Sequence, residues 1–288
     1  MKRNIDFFKV PGIMTEAAEF DSFYTEFSTS PGDICRSLLP LVRCDFFISI
    51  PKSGLSQDYY SNTNIRSSRD KIKTLYNRRR KKKELQDGCI LGNCRDLSVL
   101  VCSILWYKGI PSRVRSGFGM FFHPDKRFDH WIVEVLEKNG NRWRRIDPWM
   151  YQIQEELSIL PDKYVSGFRN LKMDPLDMGD GFFLTGGEAW RACRRGEDDF
   201  NKFGTTQKGL SGEWFVWDNM IRDLFCLNRI EPLPWDCWGH MGREHRKNTE
   251  EQYIRLDALA LALTDINTGI EGLETYGRYY SAEVMPWN

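Results

Sequence analysis

The sequence predicts an α+β domain in which one helix packs on a small antiparallel sheet and further helices enclose the pair from both ends of the chain. Three observations carry this. Between Cys94 and Tyr107 the apolar residues Leu97, Leu100, Val101, Ile104 and Leu105 recur at helical spacing, the stripe of a helix with one buried face. After Pro111 the period changes to alternation, so Arg113 to Phe121, His130 to Leu136 and Arg142 to Asp147 read as strands, with Glu137-Lys138-Asn139-Gly140 as a hairpin loop. Helical patterns then return at Gly186 to Arg195, Trp214 to Leu227, Glu250 to Leu263 and Gly269 to Tyr280.

In chain order, residues 1–30 scatter Phe7, Phe8, Phe20, Phe23, Tyr24 and Phe27 without a period and predict an arm packed on the body. Ser30-Pro31-Gly32-Asp33 opens a helix whose stripe is Ile34, Leu38, Leu39, Leu41 and Val42. Lys52 to Asn64 is polar and broken by Gly54, a surface loop before the central helix. Ser67 to Leu85 is a charged helix carrying the run Arg78 to Lys83; with acids balancing it elsewhere and no glycine-rich cradle, it reads as a solvated face. Gly109 stops the central helix and Pro111 keeps it from resuming. Glu155 to Leu160 and Asp162 to Phe168 are short mixed segments, and Met173 to Gly181 is a loop. The organisation predicted is an arm at 1–30, a catalytic domain at 31–247, and a helical extension at 248–288 packed on the same body.

Composition excludes several classes. With 41% hydrophobic residues, 288 residues supply a packed core for one large domain or two small ones. A net charge of +1 argues against a surface built for nucleic acid or anionic membrane. No stretch approaches the roughly 20 apolar residues of a membrane span, and no apolar run follows the basic residues near Met1, so a soluble cytoplasmic protein is expected. The eight cysteines, Cys35, Cys44, Cys89, Cys94, Cys102, Cys193, Cys226 and Cys237, form no C-x-x-C pair and no zinc-ligand spacing, so most read as small buried residues. No acidic loop of the EF-hand kind is present; neither a metal nor another cofactor is expected.

Candidate chemistry gathers around Cys94. At the first turn of a helix, backbone N–H groups and the positive dipole end favour a thiolate, the form that acts as a nucleophile. With a four-residue loop, Leu136 faces Asn141 and His130 lies opposite Asp147, close enough for the carboxylate to hold the imidazole. Cys94, His130 and Asp147 thus form a nucleophile, a base and an orienter in chain order. Among only four histidines, His123, His240 and His245 fall in loops or polar segments. Trp190, Asn219, Asp223, Trp235 and Asp236 are aromatic and polar candidates for substrate contact, and Tyr59, Tyr60 and Gln86 are unranked candidates for a second oxyanion donor.

Gly92-Asn93-Cys94-Arg95-Asp96 opening a helix, Gly109-Ile110-Pro111-Ser112-Arg113 entering a strand, Asp129-His130-Trp131-Ile132-Val133 and then Asp147-Pro148 resemble the transglutaminase-like superfamily of papain-fold cysteine enzymes. The downstream pieces Gly187 to Arg194, Asn219 to Leu224 and Leu233 to Asp236 resemble a bacterial subgroup of such proteins, so the similarity runs from about Ser30 to Gly239. The resemblance implies a papain/transglutaminase-like core with Cys94 as nucleophile, His130 as base and acid, and Asp147 as orienter. The expected partner is a small molecule or peptide with an amide bond, cleaved through a thioester acyl-enzyme. An amide-forming or amide-exchanging acyltransferase in a biosynthetic pathway and a non-catalytic binding module are the alternatives. Nothing in the sequence sets the oligomeric state.

Overall fold

The computed structural model describes residues 5–49, 57–80, 88–138, 142–242 and 248–264. Contacts within the chain group into two compact units, one of residues 6–113 and 132–178, the other of 1–5, 114–131 and 179–288.

The first unit is mainly helical. Its helices are α1 (Asp21–Thr25), α2 (Pro31–Leu38), α3 (Ser68–Arg80), α4 (Cys94–Tyr107), α5 (Pro148–Glu156) and α6 (Asp162–Arg169). Two three-residue strands, β1 (Val42–Cys44) and β2 (Ile90–Gly92), pair in parallel with Val42 opposite Ile90. Neither strand was foreseen, since three residues are too few to show a period; Val42, expected on the α2 stripe, lies in β1. Ser30 caps α2 and Pro31 occupies its first position, as the sequence indicates. The arm packs through Phe8, which meets the Trp143 ring edge-on at 5.5 Å, and Tyr24, which stacks on Tyr107 at 5.0 Å.

Helix α4 departs from the expected single buried face. Every residue from Arg95 to Trp106 is buried, and α2, α3, α5, β1 and β2 surround it. Burial on all sides obliges its polar groups to find partners inside. Ser103 Oγ donates to the Leu100 carbonyl, and Tyr24 OH reaches Ser103 Oγ at 3.4 Å. Helix α5 fastens the edge of β1: Gln152 Oε1 accepts from the Cys44 N–H, Gln152 Nε2 donates to the Val42 carbonyl, and Arg43 forms a two-pronged pair with Glu156.

Strands β3 (Ser112–His123) and β4 (Lys126–Leu136) both pass from one unit into the other. In the first unit the end of β4 pairs with β5 (Trp143–Ile146), antiparallel, with Leu136 opposite Trp143 and Val133 opposite Ile146. The connecting loop therefore runs from Glu137 to Arg142, with Glu137 N–H bonded to the Arg142 carbonyl, and the expected Leu136–Asn141 pairing is corrected by two residues. Side-chain charge helps to fix this register. Glu134, 3% exposed, accepts from Arg113 Nε at 2.7 Å and from Arg145 Nε at 3.3 Å, and Arg145 is its partner across the strands.

In the second unit β3 lies between β4 and β6 (Phe183–Thr185), antiparallel to β6, and β7 (Phe203–Gly204) joins Arg127 and Phe128 of β4 in parallel, so this sheet is mixed where an antiparallel one was expected. Helices α7 (Gly186–Arg194), α8 (Glu213–Leu227) and α9 (Glu250–Thr264) cover it, close to the boundaries read from the sequence. The helical pattern at Gly269 to Tyr280 lies outside the described residues. Gly186 admits a close crossing of α7 on α8: a Cβ there would stand 2.6 Å from the Met220 nitrogen.

Asp218 of α8 is buried and accepts from the Gly242 N–H at 2.9 Å, tying the segment after α8 to the helix; Arg222 Nη2 adds a bond to the Asp236 carbonyl. Burial outweighs the nearby Arg222 charge and this hydrogen bond, and pushes the Asp218 carboxyl up to about 6. A carboxyl that binds its proton more tightly folded than unfolded adds stability below pH 6 and loses it as the pH rises through 6. Wild type should therefore lose about 1–3 kcal/mol relative to Asp218→Asn between pH 4 and pH 6.5. Urea unfolding of both proteins across that range checks this; parallel curves would refute it.

Candidate active site

β2 and α4 meet at Gly92-Asn93-Cys94, all within the first unit. A side chain at Gly92 would crowd Val42 Cγ1 at 2.9 Å and Asp96 Cβ at 3.1 Å, so glycine lets the strand close on the helix it feeds. Asn93 is the N-cap in extended conformation. Its Oδ1 accepts from the Asp96 N–H at 3.0 Å, and Asp96 Oδ2 accepts from the Asn93 N–H at 3.2 Å, a reciprocal capping box. Cys94 is the first helical residue, as expected.

The cap rests on a buried ionic cluster. Lys71 Nζ lies 2.9 Å from Asp96 Oδ1 and Arg95 Nη1 3.2 Å from the same oxygen, with all three side chains fully buried. Arg95 Nη1 also donates to the Arg66 carbonyl at 2.7 Å. Sequence reasoning did not single out these three residues. The Asn-Cys-Arg-Asp order, an N-cap residue with an acid three positions on, was the signal for Asn93 and Asp96. Lys71, one charge within a highly charged helix, gave none.

None of the eight cysteines forms a disulfide, and Cys94 differs from most of them in exposure. Cys35, Cys44, Cys89, Cys102, Cys193 and Cys226 are buried, Cys237 is exposed, and Cys94 is half-buried. Burial pushes the Cys193 thiol up to about 12; burial, with the Asp147 charge added, does the same to Cys35; and burial raises Cys44 well above the usual range. These three thiols are inert by environment.

Asp147 is fully buried and is the N-cap of α5, its Oδ1 accepting from the Met150 N–H at 2.9 Å with Pro148 in the first helical position. The Asp-Pro dipeptide thus opens a helix unforeseen in the sequence. The β4–β5 pairing ends at Val133–Ile146, and the Asp147 N–H bonds the Pro175 carbonyl, so the expected pairing of His130 with Asp147 across the strands is corrected. From α5, Trp149 Nε1 donates to Asp45 Oδ1 at 2.9 Å just beyond β1; burial, chiefly, raises the Asp45 carboxyl.

His130 sits on β4 in the second unit, 2% exposed, with the rings of Phe122 and Phe121 edge-on to its imidazole at 5.2 and 5.8 Å. Both phenylalanines are half-exposed at the tip of the β3–β4 hairpin. His123, expected in a loop, ends β3 and accepts from the Asp125 N–H through Nδ1.

Three of the five substrate-contact candidates are committed elsewhere. Trp190 is fully buried and donates Nε1 to Asp257 Oδ1 at 2.7 Å. Asp223 is fully buried and accepts from Arg115 Nε and Nη2 at 2.8 and 2.7 Å and from the Ser116 N–H at 3.2 Å. Asn219 Nδ2 donates to the Gly117 carbonyl at 3.1 Å. These polar groups hold α7 to α9 and α8 to β3. Asp236 is 7% exposed and accepts from the Leu233 N–H, whereas Trp235 is 51% exposed. The side chains of Tyr59, Tyr60 and Gln86 lie outside the described residues, as does most of the basic run, although Arg78 donates to the Cys89 carbonyl. Among the described residues, no group of three or more His, Cys, Asp or Glu side chains is arranged around a metal position, and no helix is long and apolar enough to cross a membrane.

Residues 55–148 match the model of the transglutaminase-like superfamily, a segment that contains Cys94, His130 and Asp147. The chain thus carries a transglutaminase-like core. No curated protein matches the sequence. A solved structure from Cytophaga hutchinsonii, described as a candidate cysteine protease, is 17% identical with a TM-score of 0.33; the match covers 52% of this chain and 43% of that one, less than half its length.

Asp223→Ala leaves Arg115 buried without its carboxylate and should cost about 3–5 kcal/mol of stability. Denaturant titration measures it. A well-folded variant with a raised KM would instead restore Asp223 as a substrate contact.

Proposed function

We propose that the chain is a cysteine enzyme acting on an amide bond, with Cys94 as nucleophile, His130 as base and acid, and Asp147 as orienter. The observation that carries this is the Cys94 thiol at the first position of a capped helix, half-exposed where most of the other cysteines are buried. Such a position favours a thiolate and opens it to a substrate. The match of the surrounding segment to the transglutaminase-like superfamily supports the reading.

In this mechanism the Cys94 thiolate attacks the amide carbonyl carbon. The oxyanion is held by backbone N–H at the start of α4, where helix geometry aims donors outward. The C–N bond breaks as protonated His130 gives its proton to the departing amine, leaving a thioester on Cys94. His130 then takes a proton from water, the hydroxide adds to the thioester carbonyl, the C–S bond breaks, and acid and thiolate are released. Asp147 accepts from the imidazole N–H and keeps the other ring nitrogen aimed at the sulfur. Solvent access at Cys94 favours hydrolysis; an amine delivered in place of water would form a new amide by the same steps. Eight cysteines without a disulfide suit a reducing compartment such as the cytoplasm.

Iodoacetamide labelling of the native protein across pH, read by mass spectrometry, tests the pair. Cys94 should titrate well below the value of about 8.5 for an ordinary thiol, and His130→Ala should abolish that advantage. Labelling of Cys94 no faster than that of exposed Cys237, in wild type and variant alike, would overturn the proposal. Asp147 is tested separately. Asparagine is also a good N-cap, so Asp147→Asn should keep stability within about 1 kcal/mol while slowing turnover at least about tenfold. Unchanged turnover would reduce Asp147 to a cap.

A further inference from the structure

Three fully buried charges converge on the helix start that carries Cys94, and the proposed reaction assigns them no part. Lys71 Nζ, from α3, reaches Asp96 Oδ1 at 2.9 Å and the Asn62 carbonyl at 3.4 Å. Arg95 Nη1 meets the same carboxylate oxygen at 3.2 Å. The other oxygen, Oδ2, accepts from the N–H of Asn93, the residue before Cys94. A continuous line of charge-assisted bonds thus runs from α3 to the peptide that sets the Cys94 backbone.

Buried charges are expensive, and an apolar cluster of similar volume often stabilises a fold as well or better. The cost is visible at Lys71, where burial lowers proton affinity against the opposing pull of Asp96. Among the described residues two cations, Lys71 and Arg95, meet the one carboxylate of Asp96. Their positive charge lies at the first turn of α4, where it acts in the same sense as the helix dipole.

We infer that Lys71 is a positioning residue for Cys94: through Asp96 it fixes the start of α4, and together with Arg95 it holds buried positive charge there that favours the Cys94 thiolate. The inference rests on the reading of Cys94 as the nucleophile. Lys71 touches neither substrate nor sulfur in this account; it acts through Asp96 and Asn93. Its sequence position gave no hint of this, because it becomes special only when α3 packs on α4.

The test is the pH dependence of Cys94 alkylation by iodoacetamide in folded wild type, Lys71→Gln and Lys71→Arg, with folding checked by near-UV circular dichroism. Glutamine can still bond Asp96 but carries no charge. At pH 6.5 the Lys71→Gln protein should label Cys94 about tenfold more slowly than wild type, corresponding to a rise of about one pH unit in the thiol midpoint, with the two rates converging above that midpoint. Lys71→Arg should stay within about twofold of wild type. A folded Lys71→Gln protein with the wild-type profile would overturn the inference and leave the cluster a stability device. If Lys71→Gln does not fold, Arg95→Gln removes the other cation and is read in the same way. A wild-type Cys94 with an ordinary thiol profile would instead overturn the nucleophile reading, so the two failures are distinguishable.

Discussion

The capping of α4 is the constraint on which the first unit depends. A helix buried along its length cannot leave its opening N–H groups to solvent, so the partners must be built into the protein. Asn93 and Asp96 supply them reciprocally, Gly92 lets β2 approach closely enough to deliver the cap, and Lys71 and Arg95 neutralise the buried acid. Once these residues are fixed, so is the backbone of Cys94. The helix start gains rigidity from residues other than Cys94, and Cys94 stays half-exposed.

Each unit also solves the problem of a strand edge by the same means, with polar side chains from a helix bonding strand backbone. In the first unit Gln152 of α5 satisfies both the Cys44 N–H and the Val42 carbonyl of β1. In the second, Asn219 and Asp223 of α8 bond the Gly117 carbonyl and the Ser116 N–H of β3, and Arg115 anchors the acid. The three-residue β1 has little ladder of its own, and an open edge invites pairing with another chain. Side-chain clasps add to the ladder and tie each helix to its strand.

The sequence showed the long helices and the place of Cys94 at a helix start clearly because these depend on local signals. The stripes of α4, α8 and α9 and the Gly109-Pro111 stop are properties of neighbouring residues, and so is the place of Cys94 at a helix start. What escaped notice depends on partners far along the chain. β1 and β2 are strands only because they pair with each other, and Gln152 completes the arrangement. The hairpin register was misjudged by two residues because it is held by the Glu134 pairs with Arg113 and Arg145 as well as by turn chemistry. Asn219 and Asp223 were taken for substrate contacts because polar residues in an aromatic helix look functional; their partners on β3 lie about a hundred residues away and left no mark on the local pattern.

Asp147 is the cap of α5 and, in the proposed reaction, the orienting acid. As the cap of α5 it presents Oδ1 to the Met150 N–H, which fixes the carboxylate in rotation, and the positive end of α5 suits a buried anion there. An orienting acid needs both a fixed direction and a retained charge despite full burial. Cys94 is the first residue of α4, one position after its cap Asn93. The two groups that the proposed reaction requires as anions therefore each occupy a helix start within one unit. In the proposed reaction the cap does not compete with the orienting role of Asp147; it holds the carboxylate in place for it.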